Sequence, residues 1–316
     1  MKSCVRWTLV ALEALFVLCG LSNATLNAQG ILKSFGGTSP SAPSTSPFSY
    51  ELDGEASFFG TGTAKAGSTS VGDITEINSS AKFVVSAQVR DTVLLRLGGG
   101  WLGYFFYPES RAPIPASLQA ESLEVGADIQ VSPAVLVRLA ALPGIYSNAV
   151  DVTGRDFNAP FEIAATYFYS ADLIFLAGIY VDVNADTPVF PVIGVRWKLS
   201  DKWLIDGMPP RPQIQYKLSD NVTLFAGADL RENTFVVNTQ FGSSRGSPQL
   251  NGAILEYTEY RGGAGLQWKL FKNATLDIEG GVSPYRRFYY PHVADGIKVK
   301  CEDWVPYVRI GLSATF

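Results

Sequence analysis

Residues able to do bond-making chemistry are few in this chain. It carries one imidazole, His292, and the groups near it that could complete a hydrolytic site are Ser283, Asp295, Glu302 and Asp303. A Ser–His triad or a histidine metal site would have to be assembled there. A lone histidine in a polar connection is more simply a solvated loop residue, so no enzymatic activity, catalytic residue, metal or cofactor is expected. Cys301 has no basic group at a spacing that would activate it and reads as an incidental loop thiol. Gly98-Gly99-Gly100, Gly262-Gly263 and Gly280-Gly281 precede no helix and match no phosphate loop; glycine in a strand more often permits curvature or a close backbone approach.

What does recur is charge at alternate positions. Arg96, Glu124, Asp128, Arg138, Arg196, Lys198, Asp229, Arg231, Glu259, Arg261, Asp277, Glu279 and Arg309 all sit in segments whose intervening residues are apolar. The cleanest segment sets Leu123, Val125, Ala127, Ile129 and Val131 against Glu124, Gly126, Asp128 and Gln130. A period of two is a strand with one apolar and one polar face. The unit from 212 to 231 shows how such strands connect. Ile214, Tyr216 and Leu218 alternate with polar residues, Ser219-Asp220-Asn221 suits a tight turn, and Val222, Leu224, Ala226, Ala228 and Leu230 alternate beyond it. Further strands are expected near 50–59, 82–90, 93–105, 135–142, 161–167, 173–184, 189–199, 253–270, 274–289 and 304–316, with no helical period of comparable length.

Composition narrows the setting. The 316 residues are 47% apolar, 12% aromatic and only 17% charged, more apolar than a usual soluble domain. No apolar run reaches the roughly 18 residues of a membrane helix. The net charge of −4 gives no basic footprint, so nucleic acid is not an expected partner. Lys2 and Arg6 precede an apolar run through Leu21, with small residues at Ala24 and Ala28: a signal peptide over 1–28, cleaved after one of these alanines. Cys4 and Cys19 then leave with it, and Cys301 alone permits no intramolecular disulfide. The Ser-, Thr- and Pro-rich run 29–48 reads as a flexible leader. The remaining 49–316 is the folded unit.

Strands without helices leave a sandwich, a propeller or a closed barrel. Turns at Asp91-Thr92, Ser132-Pro133, 170–172, Ser200-Asp201, 219–221 and 271–273 are short, whereas 60–78, 107–120, 144–159 and 242–252 read as long connections. Short turns on one rim and long loops on the other is the layout of an all-β, antiparallel, up-and-down transmembrane barrel of 12 to 14 strands. The uncertain pair lies in 203–218, where Pro209, Pro210, Arg211 and Pro212 interrupt strands too short to cross, giving a truncated hairpin or an inward plug.

The segments Trp203-Leu204-Ile205-Asp206, Pro210-Arg211-Pro212-Gln213-Ile214-Gln215-Tyr216-Lys217-Leu218-Ser219-Asp220-Asn221, Ala226-Gly227-Ala228 and Tyr257-Thr258-Glu259-Tyr260-Arg261-Gly262-Gly263-Ala264-Gly265 resemble an uncharacterised family of bacterial outer-membrane β-barrel proteins, most clearly from about residue 190 onward. The resemblance implies that fold and that location and carries no catalytic residues. Its expected partners are outer-membrane lipid, the barrel-assembly machinery through the C-terminal strand ending in Phe316, and small polar solutes. Two functions follow: a narrow porin-like channel or transporter with the charged residues lining its lumen, or a non-conducting barrel acting through its outer loops. For the first, a water-containing passage is expected, in which removing Arg96 or Arg138 leaves folding nearly intact.

Overall fold

The computed structural model describes residues 47–108, 112–294 and 296–316. The expected signal peptide, 1–28, and nearly all of the expected leader, 29–48, lie outside these residues. In order, the strands are β1 (Phe48–Ala66), β2 (Thr69–Arg90), β3 (Val93–Pro108), β4 (Ser117–Ser132), β5 (Val135–Ala141), β6 (Gly144–Ser147), β7 (Phe157–Asn158), β8 (Phe161–Phe168), β9 (Leu173–Val181), β10 (Val189–Lys198), β11 (Trp203–Asp206), β12 (Gln213–Lys217), β13 (Val222–Val236), β14 (Ile254–Phe271), β15 (Ala274–Tyr290), β16 (Ile297–Cys301) and β17 (Val305–Thr315). Three staves of the wall are each built from two pieces, β5 with β6, β7 with β8, and β16 with β17. The result is a closed antiparallel barrel of 14 staves. Closure is made by β1 on β17, where Tyr50 and Phe316 exchange backbone hydrogen bonds of 2.9 Å in both directions.

One rim carries the expected short turns and both barrel ends. The other rim differs from the sequence reading. Residues 60–78 are two strands joined at Gly67-Ser68, not a loop, and Gly67 takes the φ of +60° that such a tight turn favours in glycine. Parts of 107–120 and 144–159 likewise belong to β3, β4, β6 and β7. Cys301 lies buried in β16, not in a loop. The cause is a change of polarity along faces that keep their phase in β3, β4, β13 and β14, whereas bulges after Phe59 in β1 and near Ser283 in β15 shift the phase by one residue. On the outward face, β4 passes from Leu123 to Glu121 and Gln119, β13 from Leu230 to Glu232 and Thr234, and β14 from Tyr260 to Thr258 and Glu256. On the inward face the reverse occurs: Asp229 and Arg231 give way to Phe235, Glu259 and Arg261 to Tyr257 and Leu255, and Arg96 to Leu102, Tyr104 and Phe106.

Below that boundary the outside is an apolar band, edged near the short turns by Trp197, Trp203, Trp268, Phe271 and Phe316, all exposed. The stretch 123–131 of β4 spans about 20 Å at a rise of about 3.3 Å and a tilt of about 40°. Above it, rings fill the interior: Tyr104 and Tyr257 have centroids 4.8 Å apart, Phe106 and Phe288 4.9 Å, Tyr257 and Phe288 4.9 Å. Charge inside and grease outside therefore become the opposite arrangement within one continuous sheet.

The wall is of unequal height. β8 to β12 are short, so the staves above them close into a smaller ring in which Val236 of β13 bridges to Ser147 of β6. Between the two levels, β11 and β12 end early and the segment 207–212 turns into the barrel. Met208 is buried against Leu136, Ala164, Ile174 and Leu176. Glycines make room for it: a Cβ at Gly194 would meet the Met208 sulfur at 2.8 Å, and one at Gly227 the Pro212 carbonyl at 2.3 Å.

Lipid burial of the apolar band fixes a depth-dependent penalty for charge. Val125→Arg should destabilise the barrel by about 2–4 kcal/mol and Glu121→Arg, four residues outward on the same face, by less than about 1 kcal/mol, measured by denaturant unfolding in lipid. A comparable cost at both positions would contradict the placement of the band. Gly126 offers no inward comparison, because a Cβ there would meet the Leu139 carbonyl at 2.9 Å.

Candidate functional site

The inward charges come together as ion pairs because directly facing residues of adjacent strands lie about 5 Å apart. Asp128 faces Arg138 across β4 and β5, and both carboxylate oxygens accept from that guanidinium. Asp229 faces Arg261 and Arg231 faces Glu259 across β13 and β14, a two-by-two checkerboard of alternating sign. Arg231 donates to Asp229 at 2.7 Å and approaches Glu55 at 2.6 Å; Arg261 donates to Glu259 at 2.8 Å. Arg309 bridges Glu55 at 2.8 Å and Glu279 at 3.3 Å. Arg96 holds both oxygens of Glu51 at 3.0 Å and donates to Glu124 at 3.1 Å, while Lys82 pairs with the other Glu124 oxygen.

Of the residues expected in the lumen, Arg96, Glu124, Asp128, Arg138, Asp229, Arg231, Glu259, Arg261, Glu279 and Arg309 are buried on the inner face. Asp277 is partly buried and lines the cavity described below. Arg196 is half-buried near the short-turn rim, facing Asp206. Lys198 does not line the lumen: it ends at the rim in an exposed pair with Asp201. Pro209, Pro210, Arg211 and Pro212 form the inturned segment, and Arg211 reaches Glu279 and, at 3.6 Å, Asp229. The dense pairing also corrects the expectation of a water-containing passage around Arg96 and Arg138, since both guanidiniums are enclosed.

Of the residues grouped with His292 from sequence, Asp295 lies outside the described residues. Ser283 is fully buried and its hydroxyl donates to the Tyr260 carbonyl at 3.0 Å, whereas His292 is exposed in its turn.

Between the ion-paired tall wall and the low wall of β8 to β10 lies a cavity of about 370 Å³. Its lining includes seven carboxylates and four cations, Lys82, Arg211, Arg231 and Arg309. Each of those cations is already engaged by a carboxylate, so the space presents an excess of negative charge. The cavity also reaches outward-facing Leu230, Glu232 and Tyr260, where the wall is interrupted. Through the inturned segment, Gly207 donates to Val195 at 2.7 Å, Ala228 to Pro212 at 3.0 Å and Leu230 to Pro210 at 3.0 Å. Beyond these, among the described residues, no backbone hydrogen bond joins the upper part of β10 to β13. The segment 182–188 roofs the interruption: Thr234 donates to Asp182 at 2.6 Å, and the Asp186 amide to Glu256 at 3.2 Å.

Alternation alone places Glu162 and Tyr180 inward. It gives no sign that they border a cavity or that Phe190 lies at a break in the wall, since both depend on where neighbouring strands stop. The prolines at 209, 210 and 212 are the one local signal.

Single-partner loss inside this network leaves a buried charge without compensation. Arg96→Ala should therefore cost about 3–5 kcal/mol and lower the temperature at which the barrel loses its compact electrophoretic form, whereas Lys198→Ala should leave it unchanged. Equal behaviour of the two variants would show a hydrated interior.

The family described as Domain of unknown function (DUF6268) matches residues 134–293, from the β4–β5 turn to the end of β15. Similar solved structures include an outer membrane channel from Pseudomonas putida F1 (TM-score 0.46, 10% identical, covering 86% of this chain and 97% of that one). Others are the Pseudomonas putida toluene transporter TodX (TM-score 0.39, 9% identical, 94% and 95% covered) and the NanC porin (TM-score 0.36, 12% identical, 83% and 98% covered). No curated protein is similar enough in sequence to count as a relative.

Proposed function

We propose that this chain, which belongs to the family described as Domain of unknown function (DUF6268), is a bacterial outer-membrane channel for small polar solutes whose axial path is closed in the present state. The observation that carries this reading is a cavity of about 370 Å³ with charged lining inside a barrel whose outer face is an apolar band. A barrel that only braced a membrane would gain nothing from leaving such a space behind its ion pairs. The outward-facing apolar residues supply contact with outer-membrane lipid, and the closing strand ending in Phe316 supplies the signal for the barrel-assembly machinery. Delivery requires the N-terminal signal peptide and its cleavage. No enzymatic step and no cofactor enter the mechanism.

The charge excess of the cavity favours cations and zwitterions over anions through electrostatic filtering. The inturned segment 207–212 stands as the gate. Its attachment is Arg211, held by Glu279 and Asp229 from the opposite wall, together with Met208 in the apolar cluster of the low wall. Releasing the guanidinium frees the segment without removing a stave. The packed rings of the outer end favour a second reading, a non-conducting barrel that acts through its outer loops.

In planar bilayers, the wild-type protein should carry little steady current. Arg211→Ala should raise the open fraction at least several-fold and give a reversal potential under a salt gradient that favours cations. Heat-modifiable migration and recovery in the outer-membrane fraction serve as folding and location controls. A variant that folds normally yet stays non-conducting would contradict the channel and favour the second reading.

A further inference from the structure

The interruption of the wall and the cavity behind it define a site with its own chemistry. Strand register places Glu162 of β8 opposite Tyr180 of β9, and Tyr180 opposite Phe190 of β10. These three therefore form one row on the inner face, perpendicular to the strands. At about 4.8 Å per strand the row is about 10 Å long. All three residues line the cavity. The row ends at the free edge of β10, and Phe190 shows what that edge means. It shares the inward face of Tyr180 yet is 58% exposed, because no stave stands beside it. A parallel row, Ala164, Gly178 and Val192, runs beside it, and Leu176 follows on β9. The small residues at Ala164 and Gly178 leave the low wall smooth and apolar.

At the far end of the row stands a carboxylate with no opposite number. Among the described residues, Glu162 makes no hydrogen bond or ion pair with a side chain. Arg138, whose charge reaches it, is held by both oxygens of Asp128. On the tall wall, Glu55, Asp229 and Glu279 are engaged by Arg231, Arg309 and Arg211. The Tyr180 hydroxyl, next to Glu162 in the row, likewise has no hydrogen-bond partner among the described residues.

We propose that the cavity is a binding site for a small protonated amine carrying an apolar group, which enters sideways between β10 and β13. The ammonium group donates to the Glu162 carboxylate, for which no protein cation competes, since Lys82 is paired with Glu124 and Arg138 with Asp128. The Tyr180 ring offers its face to the same charge. The apolar body lies along Ala164, Gly178, Val192 and Leu176, with Phe190 at the entrance. An anion of the same shape is rejected, because it would face Glu162 and find the nearby guanidiniums engaged. An uncharged isostere keeps the apolar contacts and loses the ion pair. Because the entrance lies beside Leu230 and Tyr260, at the outer edge of the apolar band, the ligand reaches it from the membrane interface and needs no axial pore.

This inference rests on the cavity invoked for the channel but not on current flow. A barrel that never conducts leaves it standing, and a conducting barrel that binds no amine overturns it alone. The test is calorimetric titration of the detergent-solubilised full chain with 2-phenylethylamine, 2-phenylethanol and 3-phenylpropionate. The amine should bind at least tenfold more tightly than the alcohol, and the carboxylate more weakly than either. Glu162→Gln, which keeps the side-chain shape, should abolish the preference for amine over alcohol while heat-modifiability stays at the wild-type value. Val192→Trp, beside the entrance, should slow association of the amine at least tenfold in stopped-flow measurements. Undiminished amine preference in Glu162→Gln, or tighter binding of the carboxylate, would overturn the site. Unchanged association in Val192→Trp would overturn the sideways route.

Discussion

A barrel wall one residue thick sends every second side chain inward, and an inward charge has only other inward side chains to answer it. In this protein that requirement is met by register. Asp128 faces Arg138, Asp229 faces Arg261 and Arg231 faces Glu259 on neighbouring strands, and Glu55 and Glu279 join β1, β13, β15 and β17 through Arg231, Arg309 and Arg211. Pairs enclosed to this degree add little net stability over an apolar filling, but breaking one is costly. Their effect is to fix which residue sits opposite which. A one-residue slip would turn every side chain to the wrong face and separate every pair at once.

The same alternation runs beyond the apolar band with its polarity exchanged. Where lipid ends, the outer face acquires Glu121, Glu232, Glu256 and Arg287, and the inner face acquires Tyr104, Phe106, Tyr257 and Phe288. Water on the outside now favours a packed apolar interior, as in a soluble β-protein. This exchange closes the outer end without a separate plug domain. It also lets β1 and β2 run as one long hairpin through both environments. The short staves β8 to β12 take no part in the upper ring, so the two regimes meet at a shoulder, and the cavity lies where the ion-paired wall and the apolar seal leave space between them.

Alternation and turn chemistry made the barrel legible from sequence: the strand pattern, the short-turn rim, the face of Glu124, Asp128 and Arg138, and the anomaly at 209–212. The long connections were misread for a physical reason. Residues 69–78 keep the period of two, but Asp73 and Thr75 stand on what had been the apolar face and Ile74 on the charged one, so there only the sign of the pattern has changed; in 60–66 a bulge after Phe59 also shifts the phase, turning Ala64 inward and Lys65 outward. Parity alone turns Lys198 inward, but parity carries no information on height and cannot tell the lumen from the rim. Cys301 reads as a loop residue from sequence because β16 is a five-residue fragment. The cavity and the side entrance were illegible, since Glu162, Tyr180 and Phe190 become neighbours only through the registers of β8, β9 and β10. The family match, residues 134–293, covers that low wall and extends to β15, whereas the resemblance read from sequence began near 190 and ran to the end of the chain.

The prolines of 207–212 convert this scaffold from a sealed barrel into one with a chamber. By ending β11 and β12 early they remove the upper half of two staves, and by turning inward they close the space below. Everything proposed for this molecule depends on the interior being a set of specific, enclosed pairs around that chamber and not a hydrated field of charge. The most direct measurement is a charge-exchange cycle at the facing residues Asp128 and Arg138, read as denaturant stability in lipid. The single variants Asp128→Arg and Arg138→Asp should each prevent or severely weaken the folded barrel, and the double exchange should restore most of the loss. Single exchanges that are tolerated, with a double variant no better than their sum, would contradict it.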